Sequence, residues 1–246
     1  MRKAIPTPYF DDGQVICIDK PYEWTSFDVI KKIRFGLKIK KVGHAGTLDP
    51  LATGLLVICT GKKTKEIEKY QAEEKEYICD MVLGKTTPSV DLETDFDSET
   101  TTDHLSIEKI IEIVNSFKGE IDQVPPIFSA IKVDGERVYE KARKGESVEL
   151  KSRKVTIREI EVIKLNNPDI QIRIVCSKGT YIRSLVRDIG EKLDVGAYMK
   201  GLVRTRIGNF TLDEAVSPEK YVEKNKSRVN FPDKNSFMDT ISRYYN

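Results

Sequence analysis

The stretch His44-Ala45-Gly46-Thr47-Leu48-Asp49-Pro50-Leu51-Ala52-Thr53-Gly54-Leu55-Leu56 sets one carboxylate on a turn punctuated by glycine and proline. An apolar run that reads as a strand follows at once. Asp-Pro pairs commonly open turns, and alone the pair says no more than that. A carboxylate on a stiff turn at the head of a strand is also well placed to meet a substrate in fixed geometry.

Working outward, residues 14–18 read as a strand. Thr25 or Ser26 then caps a helix with Phe27, Ile30, Ile33 and Leu37 near helical spacing. Strands are expected over 55–59 and 77–83, and an exposed acidic loop over 90–103. A helix over about 107–117 follows, stopped by Gly119, with Ile107, Ile110, Ile111, Val114 and Phe117 as its core stripe. Residues 155–165 and 170–176 read as paired strands, the second with Ile170, Ile172, Ile174 and Cys176 on one side. Gly179-Thr180 launches a helix with Thr180 as its cap and Ile182, Leu185, Ile189 and Leu193 on one face. The pattern predicts an α/β (α+β) fold, a mixed, largely antiparallel central sheet flanked by helices. Residues 1–220 read as one catalytic unit. Within it, about 125–154 is a charged, protruding segment, and 221–246 form a short polar tail.

The 246 residues carry a net charge of +2, with no apolar run long enough to span a bilayer and no signal-peptide pattern. A cytoplasmic protein is expected, and a monomer without an obligate protein partner. Cys17, Cys59, Cys79 and Cys176 are far apart within apolar runs, which predicts buried reduced thiols. With only His44 and His104 as histidines, no metal site is expected. The chemistry therefore rests on carboxylate, hydroxyl, amine and guanidinium groups.

The near-neutral total hides segregation. Lys31, Lys32, Arg34, Lys38, Lys40 and Lys41 crowd one stretch without an acid, whereas residues 90–108 hold seven acids and no Lys or Arg. Such a basic face suits a polyanion, although solvated surface charge gives similar runs. The Thr60-Gly61-Lys62-Lys63-Thr64 turn is not a phosphate loop, because Leu56 stands where that motif needs glycine. Arg183, just beyond a strand end, is a fixed partner for a carboxylate if it is not simply a surface arginine. Tyr77 opens a strand after Lys75-Glu76; such a ring usually packs, but facing a cleft it stacks on a base.

Taken in order, these motifs resemble the TruB family of tRNA pseudouridine synthases. The series runs from Lys20-Pro21 with Thr25-Ser26, through the Asp49 loop, Gly61, Thr64-Lys65, Lys75-Glu76-Tyr77 and Leu83-Gly84. It continues with Pro125-Pro126, Ser129-Ala130-Ile131-Lys132, residues 177–184 and Leu202-Val203-Arg204-Thr205. The resemblance implies a pseudouridine synthase fold and isomerisation of a T-loop uridine of tRNA, conventionally position 55, with neither cofactor nor metal. It implies Asp49 as the catalytic aspartate, Tyr77 as the ring stacked on the target base and Arg183 as the partner of Asp49. Tyr181 and Leu202 line that pocket. His44 contacts the RNA where the nucleotide flips out, and Lys65, Lys132 and Lys178 lie near RNA. Glu23 stands where relatives usually carry glycine, so the turn there is expected to differ. The chain is too short for the separate PUA domain of many relatives. A guide-dependent synthase and a tRNA-binding and folding protein are the rival readings.

Overall fold

The computed structural model describes residues 8–128, 132–133, 136–137 and 150–229. The elements, in order, are α1 (Pro8–Asp12), β1 (Val15–Lys20), α2 (Ser26–Gly36), β2 (Val42–His44), β3 (Ala52–Thr60), α3 (Ile67–Ala72) and β4 (Lys75–Leu83). They continue with α4 (Ile107–Asn115), β5 (Gly119–Gln123), β6 (Arg153–Asn166), β7 (Asp169–Cys176), α5 (Ile182–Lys192), β8 (Ala197–Ile207), β9 (Phe210–Thr211) and α6 (Pro218–Asn225). Among the described residues these strands form one sheet of order β1-β3-β8-β4-β7-β6-β5, with β2 beside β3 and β9 beside β8. Its pairings are antiparallel except for β3 with β8, where Leu202, Val203 and Arg204 face Ala52, Thr53 and Gly54. The mixed, largely antiparallel sheet is the architecture expected.

Alternation dictates how the sheet is covered. Odd-numbered Tyr77, Cys79, Met81 and Leu83 of β4 join Ile170, Ile172, Ile174 and Cys176 of β7 in one core, closed by α4 and α5. Even-numbered Glu76 and Asp80 face the other way, into a polar ladder with Arg173, Thr205 and Gln171. At the β1 end, Ile16, Ile18, Leu56 and Ile58 form a second core under α1, α2 and α6. Helix α2 begins at a reciprocal cap in which Thr25 accepts from the Asp28 backbone and Asp28 accepts from the Thr25 backbone, an arrangement that stabilises a helix by about 1 kcal/mol.

Four expectations change. Helix α4, which packs against β6, buries Ile110, Ile113 and Val114 and leaves Ile107 and Ile111 exposed. Helix α5 starts at Ile182 with Tyr181, not Thr180, at its N-cap, and Thr180 instead donates its hydroxyl to the Ser177 carbonyl. The boundary at residue 220 falls inside α6, whose Val222 is buried with Val229 in the second core. Within the acidic loop, Val90 and Asp91 are buried, as is Ser89 just before it. Glu23 adopts φ 64°, the left-handed conformation that glycine takes at least cost. Cys59, Cys79 and Cys176 are buried free thiols, and Cys17 is half-buried. Most of the 125–154 segment and all of 230–246 lie outside the described residues.

Candidate active site

Residues 45–51 link β2 to β3, and almost every residue of this loop is tied to another element. Ser26, the first residue of α2, accepts from the Leu48 N–H at 2.9 Å and donates to the Leu48 carbonyl at 3.1 Å. Lys20, at the end of β1, donates through Nζ to the carbonyls of Pro50 at 3.1 Å, Pro21 at 2.9 Å and Trp24. Arg204 of β8 donates from Nε to the Leu55 carbonyl at 2.8 Å, from Nη2 to Gly46 at 3.1 Å and from Nη1 to Thr47 at 3.4 Å. Lys20 and Arg204 are fully buried. Burying such cations is costly unless their N–H groups find acceptors, and here carbonyls of the loop and its neighbours supply them. Burial pulls the Lys20 ammonium down to about 8 against the opposing pull of Asp49.

The ties leave the Asp49 carboxylate one-third exposed, with Oδ2 at 2.9 Å from Arg183 Nε. Arg183, from the first turn of α5, is held in turn by the carbonyls of Ser89 at 3.2 Å and Phe128 at 2.9 Å. A second carboxylate, Asp91, lies 3.6 Å from the same Nε and is almost wholly buried. Nε–H is aligned with neither oxygen for hydrogen bonding, so both contacts are ionic. One guanidinium thus faces two acids, of which only Asp49 is accessible. Asp91 is fixed through Oδ1, which accepts from the Glu93 N–H at 3.0 Å.

Asp49 opens into a cleft of about 540 Å³ lined also by Tyr77, Tyr181, Leu202, Lys75, Arg153, Lys154, Lys178, Arg183 and Arg204. It is the sole carboxylate among the described lining residues, against six cations. Tyr77 sits on β4 directly across from Arg204 on β8. Burial pushes the Tyr77 phenol up, and the charge and hydrogen bonding of Arg204 act against that. Burial likewise pulls Lys75 down to about 8, with Arg204 adding to the effect. Tyr181 is anchored through its backbone, whose N–H donates to buried Gln123 at 2.8 Å and whose carbonyl accepts from it at 3.0 Å. The Arg153 guanidinium lies over the Tyr181 ring, 4.7 Å from its centroid, and donates to the Gly179 carbonyl.

The structure therefore brings together Asp49, Tyr77, Arg183, Tyr181, Leu202 and Lys178 from the sequence expectations. His44 sits half-buried on β2, off the cleft wall, and its buried Nδ1 has no hydrogen-bond partner. Burial lowers its pKa, and Arg204 lowers it further. Lys65 is exposed on the 3-10 turn Gly61–Glu66 and does not line the cleft. Lys132 opens a short strand, Lys132–Val133, and its side chain lies outside the described residues. Sequence reasoning assigned no role to Lys20, Ser26, Asp91, Gln123 or Arg204. Three of these lie in or beside the quoted motifs, but nothing local marks a lysine or arginine as buried.

One accessible carboxylate on a tied loop, faced by an arginine and a tyrosine ring on this sheet, defines a base isomerase of the pseudouridylate synthase class. Residues 34–182 match the TruB family pseudouridylate synthase N-terminal domain and residues 183–228 the tRNA pseudouridylate synthase B C-terminal domain; the chain belongs to the TruB family. It is 54% identical to a tRNA pseudouridine synthase B of Phocaeicola vulgatus, over 87% of this chain and 94% of that one. A protein of the same name from Clostridium tetani is 48% identical over 86% of this chain and 73% of the other. Among solved structures, the chain resembles one in a Cbf5-Nop10-Gar1 complex, with TM-score 0.68 and 33% identity over 89% of its length. It also resembles one in an H/ACA RNP bound to a substrate RNA containing 2′-deoxyuridine, with TM-score 0.65 and 30% identity over 87%. This chain spans 56% and 54% of the lengths of those two.

Proposed function

We propose that this chain isomerises uridine to pseudouridine in the T loop of tRNA, at position 55, without a guide RNA. The carrying observation is Asp49, the one carboxylate among the described residues of a cleft that also holds six cations and two tyrosines. Relatives about half identical to this chain are named tRNA pseudouridine synthase B, which supports tRNA as the substrate. In the reaction the bond from uracil N1 to ribose C1′ breaks and a bond from C5 to C1′ forms. C5 loses its proton and N1 gains one. Nothing is oxidised, and no group enters or leaves.

Asp49 starts the reaction, either by adding to C1′ or by taking a ribose proton; both routes need it ionised. The uridine must leave its stack to be reached, which costs a few kcal/mol; stacking on Tyr77 returns about 1–3 kcal/mol. Leu202 and Tyr181 border the base, and Lys178 meets the backbone phosphates. His44, Lys65 and Lys132 contact RNA outside the cleft, with 125–154 as the protruding contact segment. The protein acts as a cytoplasmic monomer and needs no protein partner.

The test is an unmodified T-arm hairpin incubated with the purified chain and read by carbodiimide-dependent reverse-transcription stops. One stop at the T-loop uridine, lost when that base is cytidine, is expected. A folded chain that binds the hairpin and leaves it unmodified overturns the reading.

A further inference from the structure

Arg204 carries a charge that the chemistry above does not use. It is among the largest fully buried side chains, and no carboxylate lies within ion-pair distance of it among the described residues. Its positive charge instead works against Lys20, His44 and Lys75 nearby. A cation in such company needs a reason to be there, since a neutral apolar side chain would avoid the desolvation cost.

The reason lies in what the guanidinium spans. Its planar fork offers five N–H donors in fixed directions, which no lysine reproduces. Those donors reach Gly46 and Thr47 on the rising side of the Asp49 loop and Leu55 on the falling side. Its backbone lies between Tyr77 of β4 and Gly54 of β3 in the ladder. A Cβ at Gly54 would stand 2.4 Å from the Arg204 carbonyl, so the missing side chain there lets β8 come close enough for the fork to reach. Tyr77 stands directly across from Arg204 in that ladder, and the Arg204 charge acts on its phenol.

We propose that Arg204 is a positioning residue for the reaction, fixing Asp49 and the Tyr77 ring relative to each other across the uridine site. It acts through the two sides of the loop and its ladder pairing with Tyr77, without touching the reacting atoms. The proposal rests on the isomerase reading above and adds to it the group that sets the distance between the carboxylate and the stacked base.

Arg204→Lys keeps the charge and loses the fork. On the T-arm hairpin its single-turnover rate is expected to fall about 100-fold, the cost of misplacing reacting groups by about 1 Å. Its dissociation constant for the hairpin should stay within about threefold of native, as for a group acting on geometry and not affinity. A folded Arg204→Lys that turns over at the native rate overturns the proposal. So does one whose rate, affinity and melting midpoint all fall together, which marks a general structural role. If Arg204→Lys does not fold, Tyr77→Phe decides: it keeps the ring and removes the hydroxyl on which the Arg204 charge acts. A rate at least about tenfold lower with unchanged affinity supports the proposal, and an unchanged rate overturns it. The native chain runs beside both variants, and its failure to form product counts against the isomerase reading instead.

Discussion

The floor and the rim of one cleft are built on opposite terms. On the floor, Asp49, Arg183, Asp91, Lys20 and Arg204 are locked by backbone carbonyls and by one another, and all but Asp49 are buried. On the rim, Lys178 and Lys154 are exposed, and Lys154 has only an exposed partner, Glu120 at 2.7 Å. Exposed pairs of that kind contribute little to stability. The floor is thus suited to hold one geometry, and the rim to attract a polyanion in many. Rate should depend on the first and affinity on the second.

The largest effect expected is from Asp49→Asn, which keeps shape and removes charge. Its single-turnover rate should fall by about 10⁴-fold or more, while hairpin affinity, measured by filter binding, changes by less than about twofold. Loss of affinity in parallel would erase the distinction between floor and rim.

Arg183→Met comes next. It leaves Asp91 buried without its cation, and breaking a buried pair in this way costs about 3 kcal/mol. Urea unfolding should show that loss, and turnover should fall even where the variant is fully folded. Stability equal to native would mean that the floor is not held by this contact.

A pH profile separates holding from folding. The Lys20 ammonium is charged below about 8 and neutral above it. The neutral amine has two N–H groups for three carbonyls, so turnover should fall as pH rises through about 8. Stability should move the other way. The folded lysine gives up its proton near 8 whereas the unfolded chain holds it to the ordinary 10.5, so the unfolded state binds more protons in that window. Stability from this group therefore rises with pH between those values, and Lys75, also near 8, adds in the same sense. A turnover loss that tracks unfolding would contradict this.

The smallest effect belongs to the rim. Lys178→Ala should raise KM a few-fold, leave kcat alone and reduce the slope of log affinity against log salt by about one. An unchanged slope would remove Lys178 from the phosphate contacts.

Periodicity made helices α2, α4 and α5 and the β6–β7 hairpin legible, because Ile170, Ile172 and Ile174 alternate as a half-buried strand must. Strand β8 was not legible. Lys200, Gly201, Arg204 and Arg206 interrupt its apolar run, and Arg204 is buried although its residue type reads as surface. In the site, Asp49, Tyr77 and Arg183 sit on turns and strand ends that local chemistry marks. Lys20, Asp91 and Gln123 are tied into the site by partners 30 to 92 residues away. Such contacts leave no local trace. Glu23 shows the converse, since a left-handed turn stands here without the glycine that would have announced it.

The central claim is that this cleft moves the ribose from N1 to C5 of one uridine. That exchange must release the hydrogen on C5, so the most direct measurement is tritium release from a T-arm hairpin labelled at C5 of its T-loop uridine. The account predicts one equivalent of tritium released per hairpin by the native chain and none by Asp49→Asn at equal binding. Full occupancy of the hairpin by the native chain with no tritium released would contradict it.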